Sequence, residues 1–308
     1  MPALNARIHL SSMHRHLDMA SSPREQAFPD CGPLSSAGSA STAEPREQSA
    51  CSAGLLIVNA DDWGRDQETT QRIFDCVQRG TVSSVSAMVF MSDSERAAEI
   101  ASESRVDAGL HFNFTTPFSA SGCPAPLAEH QRKVAAYLLR HRAAKTIFHP
   151  GLVRSFEYVV AAQMDEFRRI YRTSAARVDG HHHMHLCANV LLGKLLPANT
   201  IARRNFSFQS GEKSLANRLY RNLVDRMLSS RHQLTDFFFS LPPLEPEERL
   251  HRIFALAHCY VVEVETHPVN PEEYRFLMGQ RVFTSIGDLP IATSFALPHH
   301  EATCAQPA

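Results

Sequence analysis

The chain has almost no imbalance of charge. Against 31 Lys and Arg stand 32 Asp and Glu over 308 residues, a formal net charge of -1. With no basic stripe interleaved with aromatics, nothing calls for a nucleic-acid or other polyanionic partner. No apolar run reaches the about 18 residues that a membrane span needs, and no basic start leads into an apolar block of the secretory type. Cys31, Cys51, Cys76, Cys123, Cys187, Cys259 and Cys304 are odd in number, scattered and without a Cys-x-x-Cys pair. Neither a disulfide frame nor a zinc knuckle is expected, and free thiols in a cytoplasmic protein are. The G-x-S-x-G elbow and the Walker A loop are both missing, which removes the serine-nucleophile and P-loop routes to function. No internal repeat of fixed period is present. Residues 1–52 contain no Val, Trp or Tyr and are rich in Ser, Ala, Pro and Arg. Such a stretch cannot bury enough apolar area to offset its ordering, so a disordered extension is expected over 1–52, one domain over 53–297 and a frayed tail over 298–308.

What is present alternates. Leu55–Asn59 reads as a short buried strand, followed by a helix capped by Asp66, running to Arg79 and ended by Gly80. Strands are expected at Val82–Met91, Val106–Phe114, Arg177–His183, weakly at Thr200–Arg204, then at Asp236–Leu241 and Cys259–Glu265. Helices are expected at Ser92–Ser102, Glu129–His141, Phe156–Arg172, Val190–Leu196, Leu215–Ser229, Glu247–His258 and Glu272–Met278, with a long irregular loop over Thr115–Leu127. β-α alternation predicts an α/β fold with a parallel sheet, open or closed into a barrel. Four strands end in metal-capable or acid–base side chains: Asp61 and Asp62, His111, His181 and His267. Convergence from several strand ends on one face is the signature of a barrel.

Those residue types point to hydrolytic metal chemistry. Adjacent carboxylates repel, so one is expected to hold a cation and the other to serve as a base. Asp62, His111 and one member of the His181–His185 cluster are candidate ligands, with Asp61 placed to take a proton and His267 to protonate a leaving group. If His181–His185 continues the strand, His181, His183 and His185 share one face and His182 opposes them. Trp63, with Phe112 and Phe114, is a candidate sugar-stacking wall. Asn113, His183 and Arg204 are candidate substrate contacts, and Arg203 and Arg204 candidate anion binders. Each has a plainer alternative: the acid pair as a turn or helix cap, His111 as a core histidine, His267-Pro268 as a turn, the aromatics as core and the arginines as surface.

Asn59-Ala60-Asp61-Asp62-Trp63-Gly64, Gly109-Leu110-His111-Phe112-Asn113, Asp179-Gly180-His181-His182-His183-Met184-His185 and Glu265-Thr266-His267-Pro268 occur in that order. On these four motifs the chain resembles the YdjC-like carbohydrate deacetylases, which include the chitooligosaccharide deacetylases and the hopanoid-associated HpnK proteins. The resemblance runs from about Leu55 to Pro290. It implies a single-domain distorted TIM-like (β/α) barrel of the NodB polysaccharide-deacetylase type, often a homodimer. It implies one divalent metal ion, Mg2+ or Zn2+, on Asp62, His111 and His181, with Asp61 as base and His267 as acid. The implied reaction is hydrolysis of an N-acetyl group on an amino sugar, oligosaccharide or glycolipid head group. Trp63 departs from the Phe usual in that family, and Val269 from a small residue. A metal-dependent phosphoesterase and a non-catalytic sugar- or metal-binding barrel are the alternatives.

Overall fold

A computed structural model of the protein describes residues 54–141, 143–207, 214–295 and 297. The expected N-terminal extension and C-terminal tail lie outside the described residues. Seven strands among those described form one parallel sheet: β1 (Leu55–Trp63), β2 (Ser84–Ala87), β3 (Ala108–Phe112), β4 (Arg177–Gly180), β5 (Ile201–Ala202), β6 (Phe237–Ser240) and β7 (Val261–Thr266), in the order β5-β4-β3-β2-β1-β7-β6. The edges approach each other, because Ala202 N–H donates to the Gln233 carbonyl (3.0 Å) and Ser207 N–H to the Phe238 carbonyl (2.7 Å). The sheet therefore curls as a distorted barrel does.

Helices cover its outer face: α1 (Gln67–Gln78), α2 (Ser94–Ser104), α3 (Ala125–Leu138), α4 (Val153–Tyr171), α5 (Ala188–Leu192), α6 (Leu215–Ser229), α7 (Glu247–Leu256), α8 (Pro271–Met278) and α9 (Arg281–Ile286). α1 starts where Asp66 accepts the Thr69 N–H (2.8 Å). It ends in a Schellman pair, Thr81 N–H to Cys76 carbonyl and Gly80 N–H to Val77 carbonyl, with Gly80 at φ 77°. On α4 the stripe Phe156, Val159, Val160 and Phe167 is buried against the sheet and α3, each side chain contributing about 1.5–3 kcal/mol.

Period-two alternation sorts the strands into two faces. Leu56, Val58 and Ala60 of β1, Leu110 of β3, Val178 of β4 and Val262 and Val264 of β7 pack outward under the helices. The inward face changes character along the strands. At the N-terminal end Ile57, Val261 and Phe295 form a separate apolar cluster. The segment carrying Phe295 pairs there with β1 (Ala292 N–H to Leu56 carbonyl, 2.8 Å), Phe295 N–H donates to Asp107 (2.6 Å), and Arg177 lies over the ring. Glu263 stands level with Ile57, Asn59 and Ser84 come one layer above, and beyond these the strand ends carry the charged side chains. Gly109 makes room for Arg177: a Cβ there would stand 2.6 Å from its guanidinium.

Three expectations are corrected. β1 does not stop at Asn59 but runs through both aspartates, which stay buried. β4 stops at Gly180, and His181–Leu186 forms a 3-10 turn in which His182 and His183 are left-handed (φ 56° and 55°), so strand alternation does not sort these histidines. α3 begins at Ala125, inside the span expected to be loop. α9 adds a helix that the sequence pattern does not predict.

Candidate metal centre

Consecutive residues of a strand face opposite ways, yet Asp61 and Asp62 both reach the same space. A bulge makes this possible. The register of β1 against β2 shifts between Ala60 and Trp63, and Asp62 takes φ 70°. Arg65 then fastens the turn, its N–H on the Asp62 carbonyl (3.0 Å) and its guanidinium on Asp62 Oδ2 (3.0 Å). Oδ1 is left facing the barrel mouth.

Two imidazoles meet it there. His111 Nε2 is 3.4 Å and His181 Nδ1 2.9 Å from Asp62 Oδ1. Asp62 Oδ1 and His111 Nε2 are both buried with no aligned hydrogen-bond partner. A carboxylate only accepts, so His111 Nδ1–H donates to Asp179 Oδ1 (2.8 Å), and Nε2 is turned toward Asp62, where it carries a proton or, once that proton leaves, a ligand lone pair. Burial by itself would lower the His111 pKa, but Asp61 and Asp179 raise it to about 10. Burial would likewise raise Asp62, yet the His111 and His181 imidazoles that face it hold it well below the usual carboxylate range. The pocket thus favours positive charge, and without an ion a proton supplies it. One carboxylate oxygen and two imidazole nitrogens, with two of these atoms otherwise orphaned, fit a divalent cation.

Asp61, His111 and Asp179 make a second possible group, but Arg203 already occupies its carboxylates. Its Nη1 and Nη2 donate to Asp61 Oδ2 and Oδ1 (2.6 and 2.7 Å), and Nη2 is 3.0 Å from Asp179 Oδ2. Burial pushes Asp61 up, but Arg203 and His111 outweigh it and its pKa is lowered. His267, a third exposed at the end of β7, has Nε2 4.0 Å from Asp61 Oδ2. Burial opposes its charge, but Asp61, Glu265 and Asp62 raise its pKa. Glu273 of α8 fixes the turn, accepting from the His267 N–H (2.8 Å) and the Thr266 hydroxyl (2.7 Å).

The structure therefore gathers Asp61, Asp62, His111, His181 and His267 in one place. The other histidines separate. His185 is buried and donates from Nε2 to the Arg203 carbonyl (3.0 Å), with burial lowering its pKa to about 3. His182 pairs with Thr115 Oγ1 (3.0 Å). His183 is partly exposed, edge-on to Phe206, and lines a cavity of about 350 Å3 with Arg204, Asn205, Tyr220 and Arg221.

Two substrate-contact expectations are corrected. Trp63 is completely buried in the core and donates from Nε1 to the Ala97 carbonyl (3.2 Å), so it presents no face to a sugar. Asn113 is also buried: its Oδ1 accepts from Thr115 and Thr116 N–H and its Nδ2 donates to the Thr116 carbonyl, so it shapes a turn. Arg204 lines the same cavity as His183, with its guanidinium held by Asp225 and by the Thr235 and Asp236 carbonyls. Arg203, expected to bind an anion or lie at the surface, is buried among carboxylates of the chain itself. Glu263 has no role in the sequence reading, and Glu265 enters it only as part of a motif. Their signal was two acids at alternate positions in the valine-rich strand Val261–Thr266.

The chain matches the YdjC-like protein family over residues 55–286. Among curated proteins it is similar to chitooligosaccharide deacetylases of Yersinia pestis (strain Pestoides F) and Yersinia pseudotuberculosis (serotype O:3, strain YPIII), each 28% identical over 137 residues, 44% of this chain and 52% of the relative. The alignment thus spans about half the length of these relatives. Among solved structures it resembles a protein from Enterococcus faecalis V583 named for cellobiose-phosphate cleavage, with a TM-score of 0.55 and 19% identity, covering 79% of this chain and 97% of that one. That likeness is one of fold. No helix among the described residues is long and apolar enough to cross a membrane.

Proposed function

The chain belongs to the YdjC-like family, and from that premise we propose that it hydrolyses the N-acetyl group of an amino sugar, oligosaccharide or glycolipid head group at one divalent metal ion held by Asp62, His111 and His181. The observation that supports this reading is three buried ligand atoms facing one another, Asp62 Oδ1, His111 Nε2 and His181 Nδ1, of which the first two make no aligned hydrogen bond. The reading also groups the curled sheet with the NodB-type barrels.

A bound divalent ion would polarise the acetamide carbonyl and acidify the attacking water. The chain's own groups do the rest. Asp179 keeps the His111 proton on Nδ1 and so leaves Nε2 free as a ligand. Asp61, held by Arg203, takes the proton of the attacking water. Its low pKa makes it a weak base toward ordinary water, and an acidified water removes that obstacle. His267, whose pKa the carboxylates around it raise, gives its proton to the departing amine. The reaction consumes water and leaves acetate and a free amino sugar. Arg203 on Asp61 and Asp179 argues against a two-metal phosphoesterase, because the second cluster such an enzyme would use already holds a guanidinium.

The test is acetate release from a panel of N-acetylglucosamine oligomers and N-acetylglucosaminyl lipids. The panel is run with metal-loaded protein, chelator-treated protein and Asp61→Asn. Release that needs metal and is lost in Asp61→Asn is expected. Metal-bound, folded protein that leaves every acetamide intact but hydrolyses a phosphoester would overturn the reading.

A further inference from the structure

Arg203 follows the two-residue strand β5, and a side chain this long is held in place only if something fixes it at several points. Its carbonyl receives His185 Nε2, its guanidinium lies over the Phe238 ring (4.9 Å), and its two terminal nitrogens fork onto Asp61. The remaining donor, Nε–H, points back into the barrel and meets Glu263 Oε1 at 2.7 Å. Glu263 stands on the inward face of β7, level with Ile57, one layer below Asn59 and Glu265. We infer that Glu263 is a positioning residue for the reaction: by holding Arg203 Nε–H from beneath, it fixes the guanidinium fork and thereby the orientation of the Asp61 carboxylate. The inference rests on the proposed role of Asp61.

Charge balance does not account for Glu263. Arg203 already meets Asp61, Asp179 and Glu265 (3.3 Å), so its charge is matched without a fourth acid. Glu263 is buried, and its Oε2 has no hydrogen-bond partner. An arrangement that served charge alone would not leave a carboxylate oxygen orphaned in the core, where this costs stability. Burial pushes the Glu263 pKa up to about 7, yet the bond to Nε–H needs only one accepting oxygen and survives protonation. An accepting atom at that point, rather than a negative charge, is what the geometry uses. It closes the edge of the guanidinium opposite the fork, so the fork cannot swing away from Asp61.

The experiment compares Glu263→Gln and Glu263→Leu in the full metal-loaded chain. It reads kcat and KM for acetate release, the pH profile of kcat, metal affinity, and the Arg203 Nε–H resonance by NMR. Glutamine keeps the acceptor, so near-native kcat, an unmoved pH profile and a native-like resonance are expected. Leucine removes it, and loss of an outer-shell contact predicts kcat about 10- to 100-fold lower, with KM and metal affinity unchanged and faster exchange of Arg203 Nε–H. Native kcat in Glu263→Leu would overturn the inference. So would an equal loss in Glu263→Gln, a shifted pH profile in that variant, or a Glu263→Leu loss that tracks metal release. If Glu263→Leu does not fold, Glu263→Gln decides alone, and kcat below about a tenth of native overturns it. If the wild type releases no acetate, the deacetylase reading fails instead. Glu263 is then judged on the resonance, and an unaltered Arg203 Nε–H in Glu263→Leu refutes the contact.

Discussion

Asp179→Asn should weaken metal binding without touching a ligand. Asp179 serves three donors: His111 Nδ1–H on Oδ1 (2.8 Å), and the Ser86 hydroxyl (2.5 Å) and Arg203 Nη2 (3.0 Å) on Oδ2. Asparagine offers one accepting oxygen, and its amide N–H must face either the imidazole or the guanidinium, both of which donate. Whichever way the amide turns, one cation-side partner is lost. If it is His111, the ring can flip its proton onto Nε2 and blunt the ligand. Loss of such a carboxylate–histidine contact costs about 10–100-fold in metal affinity, or about 1.4–2.8 kcal/mol. Proton linkage supplies a second readout. His111, raised to about 10, is protonated in the metal-free protein at neutral pH, so binding should release about one proton and tighten as pH rises toward that value. Removing the Asp179 charge lowers the His111 pKa, and the released fraction falls. Calorimetry of chelator-stripped protein, in buffers of different ionisation enthalpy, measures both. An affinity within threefold of wild type, with full proton release, would refute the assignment of Asp179 as the group that orients His111.

Other outcomes follow from the same geometry. His267→Gln should lower kcat about 10²–10⁴-fold, the range for a general acid. In the wild type kcat should decline as pH rises through the raised His267 pKa, and that alkaline limb should vanish in the variant. The same raised pKa means that His267 stabilises the fold below its unfolded-state pKa and that this contribution fades as pH climbs, which urea melts across pH can follow. Trp63→Phe should cost about 1–2 kcal/mol in a urea melt, for the smaller ring and the abandoned Ala97 carbonyl, while KM for oligosaccharides stays put; a raised KM would return Trp63 to the substrate pocket. Gly109→Ala should destabilise by about 1–3 kcal/mol, since the new methyl meets the Arg177 guanidinium. A melting temperature at or above wild type would contradict the packing described.

Where a local device dictates structure, the sequence could be read directly. Asp66 and Gly80 bracket α1 by capping and by a left-handed residue, and the amphipathic span Leu215–Ser229 forms as expected. Misreadings arose where tertiary context overrides local preference. Aspartate is a poor strand former, so local preference ends β1 at Asn59, but Arg203 and the two histidines stabilise acids that would otherwise leave the sheet. Local pattern extends the strand over His181–His183, although Gly180 has His185 packed against it, at 3.0–3.1 Å from where a Cβ would stand, and the chain must turn there. Arg203 looked like surface because β5 spans only two residues and gives almost no alternation to read. Its burial could be found only by asking what Glu263 and Glu265 were doing among valines. The four motifs brought together Asp61, Asp62, His111, His181 and His267. Asn113 and Trp63 sit within the same motifs but support them from the core, a distinction that spacing cannot express.

The floor built around Phe295 bears on how strongly the charges above it interact. Arg177, Asp179, Glu263 and Arg203 act on one another across a space that the Phe295 ring, Ile57 and Val261 shield from below. Were bulk water admitted through that end, its high permittivity would weaken every one of these attractions severalfold while leaving each contact distance nearly intact. A few residues near the end of the chain, far from any strand terminus that carries chemistry, thereby help set the electrical insulation of the centre.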